Sequence, residues 1–188
     1  MSLNKVAFLD RDGVINEDKG YVHLWKDFEF CKGSIVGLKN LIELKFKLVI
    51  ITNQSGIDRG IFSEKQFFTL TNLMINELLK NNINIDGVYH CPHHPEFSKS
   101  EFKNCTCRKP KPGLFLKAIK DFDASLDDSI AIGDNERDLV AAKLAGIKNR
   151  FLISKNYNNK YNKDIFTRTH NSLLECTNSL NVFDETFS

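Results

Sequence analysis

The chain has 188 residues, 41% of them hydrophobic and 27% charged, an ordinary globular balance sized for one domain. Its formal charge of +2 is too small to ask for a polyanionic partner, so neither nucleic acid nor a membrane surface is expected. The opening MSLNKVAFLD is too short in apolar residues for a signal peptide or a spanning helix, and five cysteines do not make an even secreted framework, so the sequence predicts a monomer of the reducing cytosol.

In chain order, KVAFLD (5–10) reads as a first buried strand and GSIVGLKNLIELK (33–45) as a helix. FKLVIIT (46–52) is a second strand, followed by a long helix at 63–82 with Ser63 as its N-cap. DGVYHC (86–91) is a third strand, and the helix at 112–122 carries Pro112 near its first turn. SIAIGD (129–134) is a fourth strand, the helix at 136–146 stops at Gly146, and NRFLIS (149–154) is a fifth strand. The Asn-rich KNYNNKYNK (155–163) reads as a surface loop, followed by a last strand DIFTRT (164–169) and a short helix. Strands alternating with helices predict an α/β fold, a doubly wound parallel sheet with helices on both faces. Such sheets bind ligands beyond the carboxyl ends of their strands, which singles out Asp10, Asp12, Thr52, Asn53, the 91–109 loop and Asp134.

DRDG (10–13) puts two carboxylates at a strand end, followed by a glycine that lets the backbone turn sharply. Neighbouring carboxylates repel unless a cation lies between them, and a hard divalent ion such as Mg²⁺ suits oxygen ligands. Taken alone, the pair also reads as a turn of solvated acids. The second acidic pair, Asp134 and Asp138, opens a helix, where acids also serve as caps. TNQSG (52–56) offers hydroxyl, amide and backbone donors suited to phosphate oxygens.

Asp10-Arg11-Asp12-Gly13, Thr52, Lys109 and Gly133-Asp134 with Asp138 together resemble, in order, the four motifs of haloacid-dehalogenase-type phosphatases. The resemblance implies Asp10 as nucleophile, Asp12 as general acid and base, and Thr52 and Lys109 as holders of the transferring phosphoryl group. It also implies Mg²⁺ on the Asp10 and Asp134 carboxylates and the Asp12 backbone carbonyl, supported by Asp138. DRDGVINEDKGYVH, TNQSGIDRG, the CPHHP loop and CRKPKPG are similar, within that superfamily, to the heptose 1,7-bisphosphate phosphatases. Those enzymes remove the C7 phosphate of a sugar bisphosphate in heptose activation for surface polysaccharide. This finer likeness implies substrate contacts from Asp18, Lys19, Gly20, Tyr21, Asn53, Gln54, Ser55, Arg108 and Asn135. Asn135 is a departure, because relatives commonly carry lysine there. Histidinol-phosphate phosphatase, a relative with the same four motifs, is the alternative, and a non-catalytic zinc-stabilised binding module the remote one.

Cys91, His93, Cys105 and Cys107 form a C-x-H…C-x-C pattern, which supplies the ligands of a closed tetrahedral zinc site with no open position for water. The other reading leaves the cysteines as reduced bystanders, and His94 competes with His93. The resemblance favours zinc on His93. As a structural clip it would order a polar loop and hold Arg108 and Lys109 over the phosphate site. Cys31 and Cys176 read as plain thiols.

Overall fold

The β-branched strand segments form one parallel sheet. The computed structural model describes residues 3–154 and 164–184. Its strands are β1 (Val6–Leu9), β2 (Lys47–Asn53), β3 (Gly87–Cys91), β4 (Ile130–Gly133), β5 (Asn149–Ile153) and β6 (Arg168–His170), in spatial order β3-β2-β1-β4-β5-β6. Every neighbouring pair is parallel, with Val6 opposite Lys47 and Ala7 opposite Ile130. The helices are α1 (Ser34–Glu43), α2 (Glu64–Lys80), α3 (Gly113–Asp121), α4 (Glu136–Leu144) and α5 (Leu173–Asp184).

A strand covered on both faces has to be apolar at every position, and β1 and β4 are buried throughout. Alternate residues feed two cores. Ala7, Leu9, Leu48 and Ile50 pack with Leu38 and Leu41 of α1, Met74 and Leu78 of α2, and Leu173 and Cys176 of α5. Val6, Phe8, Val49 and Ile51 pack with Leu114, Phe115 and Ala118 of α3 and with Ala141 and Ala142 of α4. Ser63 caps α2 as expected, accepting from Gln66 N while the Gln66 side chain accepts from Ser63 N.

The last strand begins four residues later than the expected 164–169. Residues ahead of it are drawn to Arg150 instead: its Nε donates to Ile165 O at 2.6 Å and its backbone N to Thr167 Oγ1 at 3.1 Å. The Asn-rich 155–163 segment expected as a surface loop lies outside the described residues. A short 3-10 turn at Trp25–Asp27 was not expected, because three residues carry no periodic pattern. Among the described residues no large cap is inserted after β1 or β2, and no helix is long and apolar enough to cross a membrane.

Strand order reverses at β1, flanked by β2 on one side and β4 on the other, so the connections leaving their carboxyl ends part and leave a crevice between them. That crevice is where the polar strand-end residues converge.

Candidate active site

Asp10 follows the last residue of β1, and its backbone N donates to Ile132 O at 2.9 Å, continuing the ladder with β4. Its carboxylate Oδ1 accepts from Arg11 N at 2.8 Å and lies 3.0 Å from Lys109 Nζ. Lys109 is 2% exposed, and its ammonium also meets Asp138 Oδ1 at 2.7 Å and donates to Ile51 O at 2.7 Å. Burial, reinforced by the nearby Asp138, Asp134 and Asp12 carboxylates, pushes Asp10 up to about 8 against the pull of Lys109. Burial followed by the Asp138 charge pushes Asp134 up to about 7. Burial opposes the charge on Lys109, yet Asp10 and Asp138 hold it above its ordinary value.

Carboxylate oxygens of Asp10, Asp134 and Asp138 all lie within 4.8 Å of one another. One lysine cannot neutralise three clustered acids, two buried and one half-buried, so the donor set fits a hard divalent cation. Asp138 is already engaged, with Lys109 on Oδ1 and Asn135 N donating to Oδ2 at 3.1 Å, which leaves Asp10 and Asp134 as the freer pair. Gly13 makes room for that pair: at φ +87° a Cβ there would come within 2.2 Å of Asp134 Oδ2.

Asp12 accepts four hydrogen bonds from three side chains. Arg11, itself buried, donates from Nε to Oδ2 at 3.2 Å and from Nη2 to Oδ1 at 2.9 Å. Asn16 Nδ2 reaches Oδ1 at 3.0 Å and Gln54 Nε2 reaches Oδ2 at 2.9 Å. Gln54 Nε2 also donates to Thr52 Oγ1 at 2.9 Å, joining the ends of β1 and β2.

A cleft of about 350 Å³ opens over these groups. Asp10, Asp12, Asp18, Gly20, Tyr21, Thr52, Asn53, Gln54, Ser55, Arg108 and Asp134, all singled out in the sequence, line it. Lys109 lies just beneath, its backbone N donating to Asn53 Oδ1 and its carbonyl accepting from Asn53 Nδ2, both at 3.1 Å. Two expected contacts lie elsewhere. Lys19 pairs with Glu29 at 2.9 Å, because the turn at Gly20 (φ +74°) and Tyr21 (φ +53°) directs the cleft-facing residues away from it. Asn135 caps α4, its Oδ1 accepting from Arg137 N at 3.2 Å, and is not part of the cleft wall.

The Cys91, His93, Cys105 and Cys107 ligand atoms lie within 4.8 Å of one another. Cys91 Sγ is 2.8 Å from Cys107 Sγ and 3.8 Å from Cys105 Sγ, while His93 Nδ1 is 3.3 Å from Cys107 Sγ. Burial, and then the contact with Cys107, pushes the Cys91 thiol far up, so ionising it demands a strong compensating charge. Three sulfurs and one imidazole nitrogen converging on one point are the donor set of a zinc site. His94 turns the other way, its Nε2 2.7 Å from Arg59 Nη2.

Residues 106–164 match the HAD-hydrolase-like family. The D-glycero-β-D-manno-heptose-1,7-bisphosphate 7-phosphatase of Helicobacter pylori (strain J99) is 43% identical over 185 residues, 98% of each chain. The chain belongs to the heptose-1,7-bisphosphate 7-phosphatase family. The Pasteurella multocida member is 46% identical over 151 residues, covering 80% of this chain and 82% of its own. The structure of the D,D-heptose 1,7-bisphosphate phosphatase from B. bronchiseptica, complexed with magnesium and phosphate, superposes with a TM-score of 0.81 at 28% identity, over 95% of this chain and 99% of that one.

Within this heptose-1,7-bisphosphate 7-phosphatase fold, sequence reasoning missed Arg11, Asn16, Arg59, His94 and Arg137 as parts of the site. Arg11 and Asn16 fix Asp12, and the other three line the cleft. Arg11 stood inside the DRDG motif, but nothing in a sequence tells a buried forked arginine from a solvated one. Arg59 and Arg137 lie in a turn and a first helical turn, where an exposed cation is the ordinary reading.

Proposed function

We propose that the chain is a phosphoric monoester hydrolase, one domain with a metal-bearing loop at 91–107, that removes the C7 phosphate of D-glycero-D-manno-heptose 1,7-bisphosphate in the cytosol. The observation that carries the reading is the buried Asp10–Lys109 pair at the floor of a cleft that also holds Asp12 and three arginines.

The Asp10 carboxylate attacks the C7 phosphorus, forming an aspartyl-phosphate, while the bond from phosphorus to the C7 oxygen breaks. The Asp12 carboxyl gives its proton to that leaving oxygen. Asp12 then takes a proton from water, whose oxygen attacks the aspartyl-phosphate and releases inorganic phosphate and the free Asp10 carboxylate. Arg11, Asn16 and Gln54 keep the Asp12 carboxyl aimed at the cleft during both transfers. Lys109, beside Asp10, and the hydroxyl of Thr52 hold the phosphoryl oxygens as charge shifts among them. Asp10, Asp134 and the Asp12 carbonyl would hold Mg²⁺, with Asp138 supporting from behind. Mg²⁺ supplies neutralisation of the phosphoryl charge when bound. Cys91, His93, Cys105 and Cys107 would hold a structural zinc. The magnesium and phosphate of the B. bronchiseptica structure support the first assignment, and the convergence of four soft ligand atoms supports the second.

No catalytic group of the four motifs is missing, which weighs against a binding module, and the curated relatives weigh against histidinol phosphate. The test is a set of initial rates, with Mg²⁺, on both anomers of the heptose bisphosphate and on histidinol phosphate. The reading expects rapid phosphate release from at least one heptose anomer, and a preference for histidinol phosphate overturns it.

A further inference from the structure

We propose that Arg137 is a specificity-determining residue of this enzyme, completing with Arg59 and Arg108 a receptor for the phosphate that is not removed. The inference rests on the bisphosphatase reading and deepens it.

The cleft wall carries two kinds of charge: the carboxyls of Asp10, Asp12, Asp18 and Asp134, and the guanidiniums of Arg59, Arg108 and Arg137, with His94 among them. The three arginines come from separate segments: the turn after β2, the chain just past the cysteine cluster, and the first turn of α4. Two are visibly held in place. Arg59 lies 4.8 Å from the Phe97 ring centroid and meets His94 Nε2, and Arg108 Nη1 donates to His93 O at 3.2 Å. Among the described residues, none of the three forms a salt bridge with a carboxylate.

This grouping is unfavourable without an anion. Arg59, Arg108 and Arg137 all line this one cleft, so their like charges repel. A cation in the first turn of a helix also opposes the helix dipole. Arg137 occupies such a position in α4, while Asn135 beside it is committed to capping. Arg137 lines the cleft where Asn135 does not, so the first turn of α4 presents a guanidinium to the ligand. A phosphate dianion relieves the repulsion and gives each guanidinium a forked partner. With the C7 phosphate at Asp10, the second anion a sugar bisphosphate brings is its anomeric phosphate, and a plain monoester has nothing to place there.

The test compares kcat/KM on heptose 1,7-bisphosphate, heptose 7-phosphate and p-nitrophenyl phosphate for wild type, Arg137→Ala and Arg137→Lys. Arg137→Ala is expected to lower the preference for the bisphosphate over either monoester by ~10- to 100-fold, chiefly through KM, the range of one lost charge-assisted bond. Arg137→Lys should fall between, keeping the charge but not the fork. Equal losses on all three substrates, or a preference that survives in Arg137→Ala, overturns the role of Arg137. A wild-type enzyme that does not prefer the bisphosphate overturns the substrate assignment itself, so the two failures are distinguishable. Circular dichroism of each variant separates a lost contact from a lost fold, since Arg137 lies on the helix surface.

Discussion

Lys109 Nζ lies 3.0 Å from Asp10 Oδ1, and both side chains are almost wholly removed from water. The same ammonium bridges to Asp138, so one cation ties the loop after the cysteine cluster to the end of β1 and the first turn of α4. The placement of the proposed nucleophile and local stability therefore rest on one contact.

Lys109→Ala leaves Asp10 and Asp138 facing each other unpaired in a buried site, a loss of about 3–5 kcal/mol for breaking such a pair. On the proposed mechanism it also removes the cation beside the transferring phosphoryl group, which costs about 100- to 1000-fold in rate. Phosphate release from bisphosphate and monoester alike should drop by that order, with a lower Tm in a thermal melt. A variant with wild-type rate on a monoester contradicts the placement of Lys109 beside the transferring group.

Asp10→Asn should abolish turnover, because an amide cannot attack phosphorus. Asp12→Asn should still become phosphorylated slowly but lose the proton transfers that free the product. Intact-mass measurement after mixing with substrate should find phosphorylated chain in Asp12→Asn and none in Asp10→Asn. Residual turnover above a few per cent in Asp10→Asn, with deamidation excluded, counts against Asp10 as nucleophile.

The sheet and its helices were legible because burial on both faces leaves a plain apolar signature, and the strand-end rule then pointed to Asp10, Thr52 and Asp134 before any fold was known. The end of the chain was less legible. Arg168–His170 is a three-residue edge strand whose start depends on what Arg150 captures, a long-range matter invisible in local sequence. Within the site, motif spacing located the carboxylates but not the groups that aim them. Whether Arg11 forks onto Asp12 or reaches solvent, and whether Lys19 or Arg137 faces the cleft, is decided by turn geometry at Tyr21 and by the capping of α4.

Cys176 gives a pH signature independent of catalysis. Burial, with a smaller contribution from Glu175, pushes its thiol from 9.0 up to about 12, so it stays neutral in the fold while the unfolded chain ionises. The folded pKa lies above the unfolded one, so the stabilisation is complete below pH 9 and declines as pH rises toward 12. One proton of difference is worth about 1.4 kcal/mol by pH 10. Cys176→Ala lacks this titration. The wild-type advantage in urea unfolding should therefore shrink by about that amount between pH 8 and pH 10, and a constant gap places the thiol in water.

Cys105→Ser tests the metal clip. About one zinc per chain should survive purification, and removing one of the four soft ligands should weaken its hold. The path from that cluster to the chemistry is short: Arg108 donates to His93 O, and the next residue, Lys109, is locked to Asn53 and Asp10. Loosening the loop shifts both cations relative to the floor of the cleft without altering any group there. A displacement near 1 Å costs roughly 100-fold in rate. Excess Mg²⁺ should not restore the variant, because the carboxylates of Asp10 and Asp134 are untouched. Loss of activity that follows zinc content, measured by elemental analysis alongside phosphate release, marks the cluster as the brace of the catalytic lysine. A zinc-free wild type with full activity and stability returns these cysteines to the role of reduced bystanders.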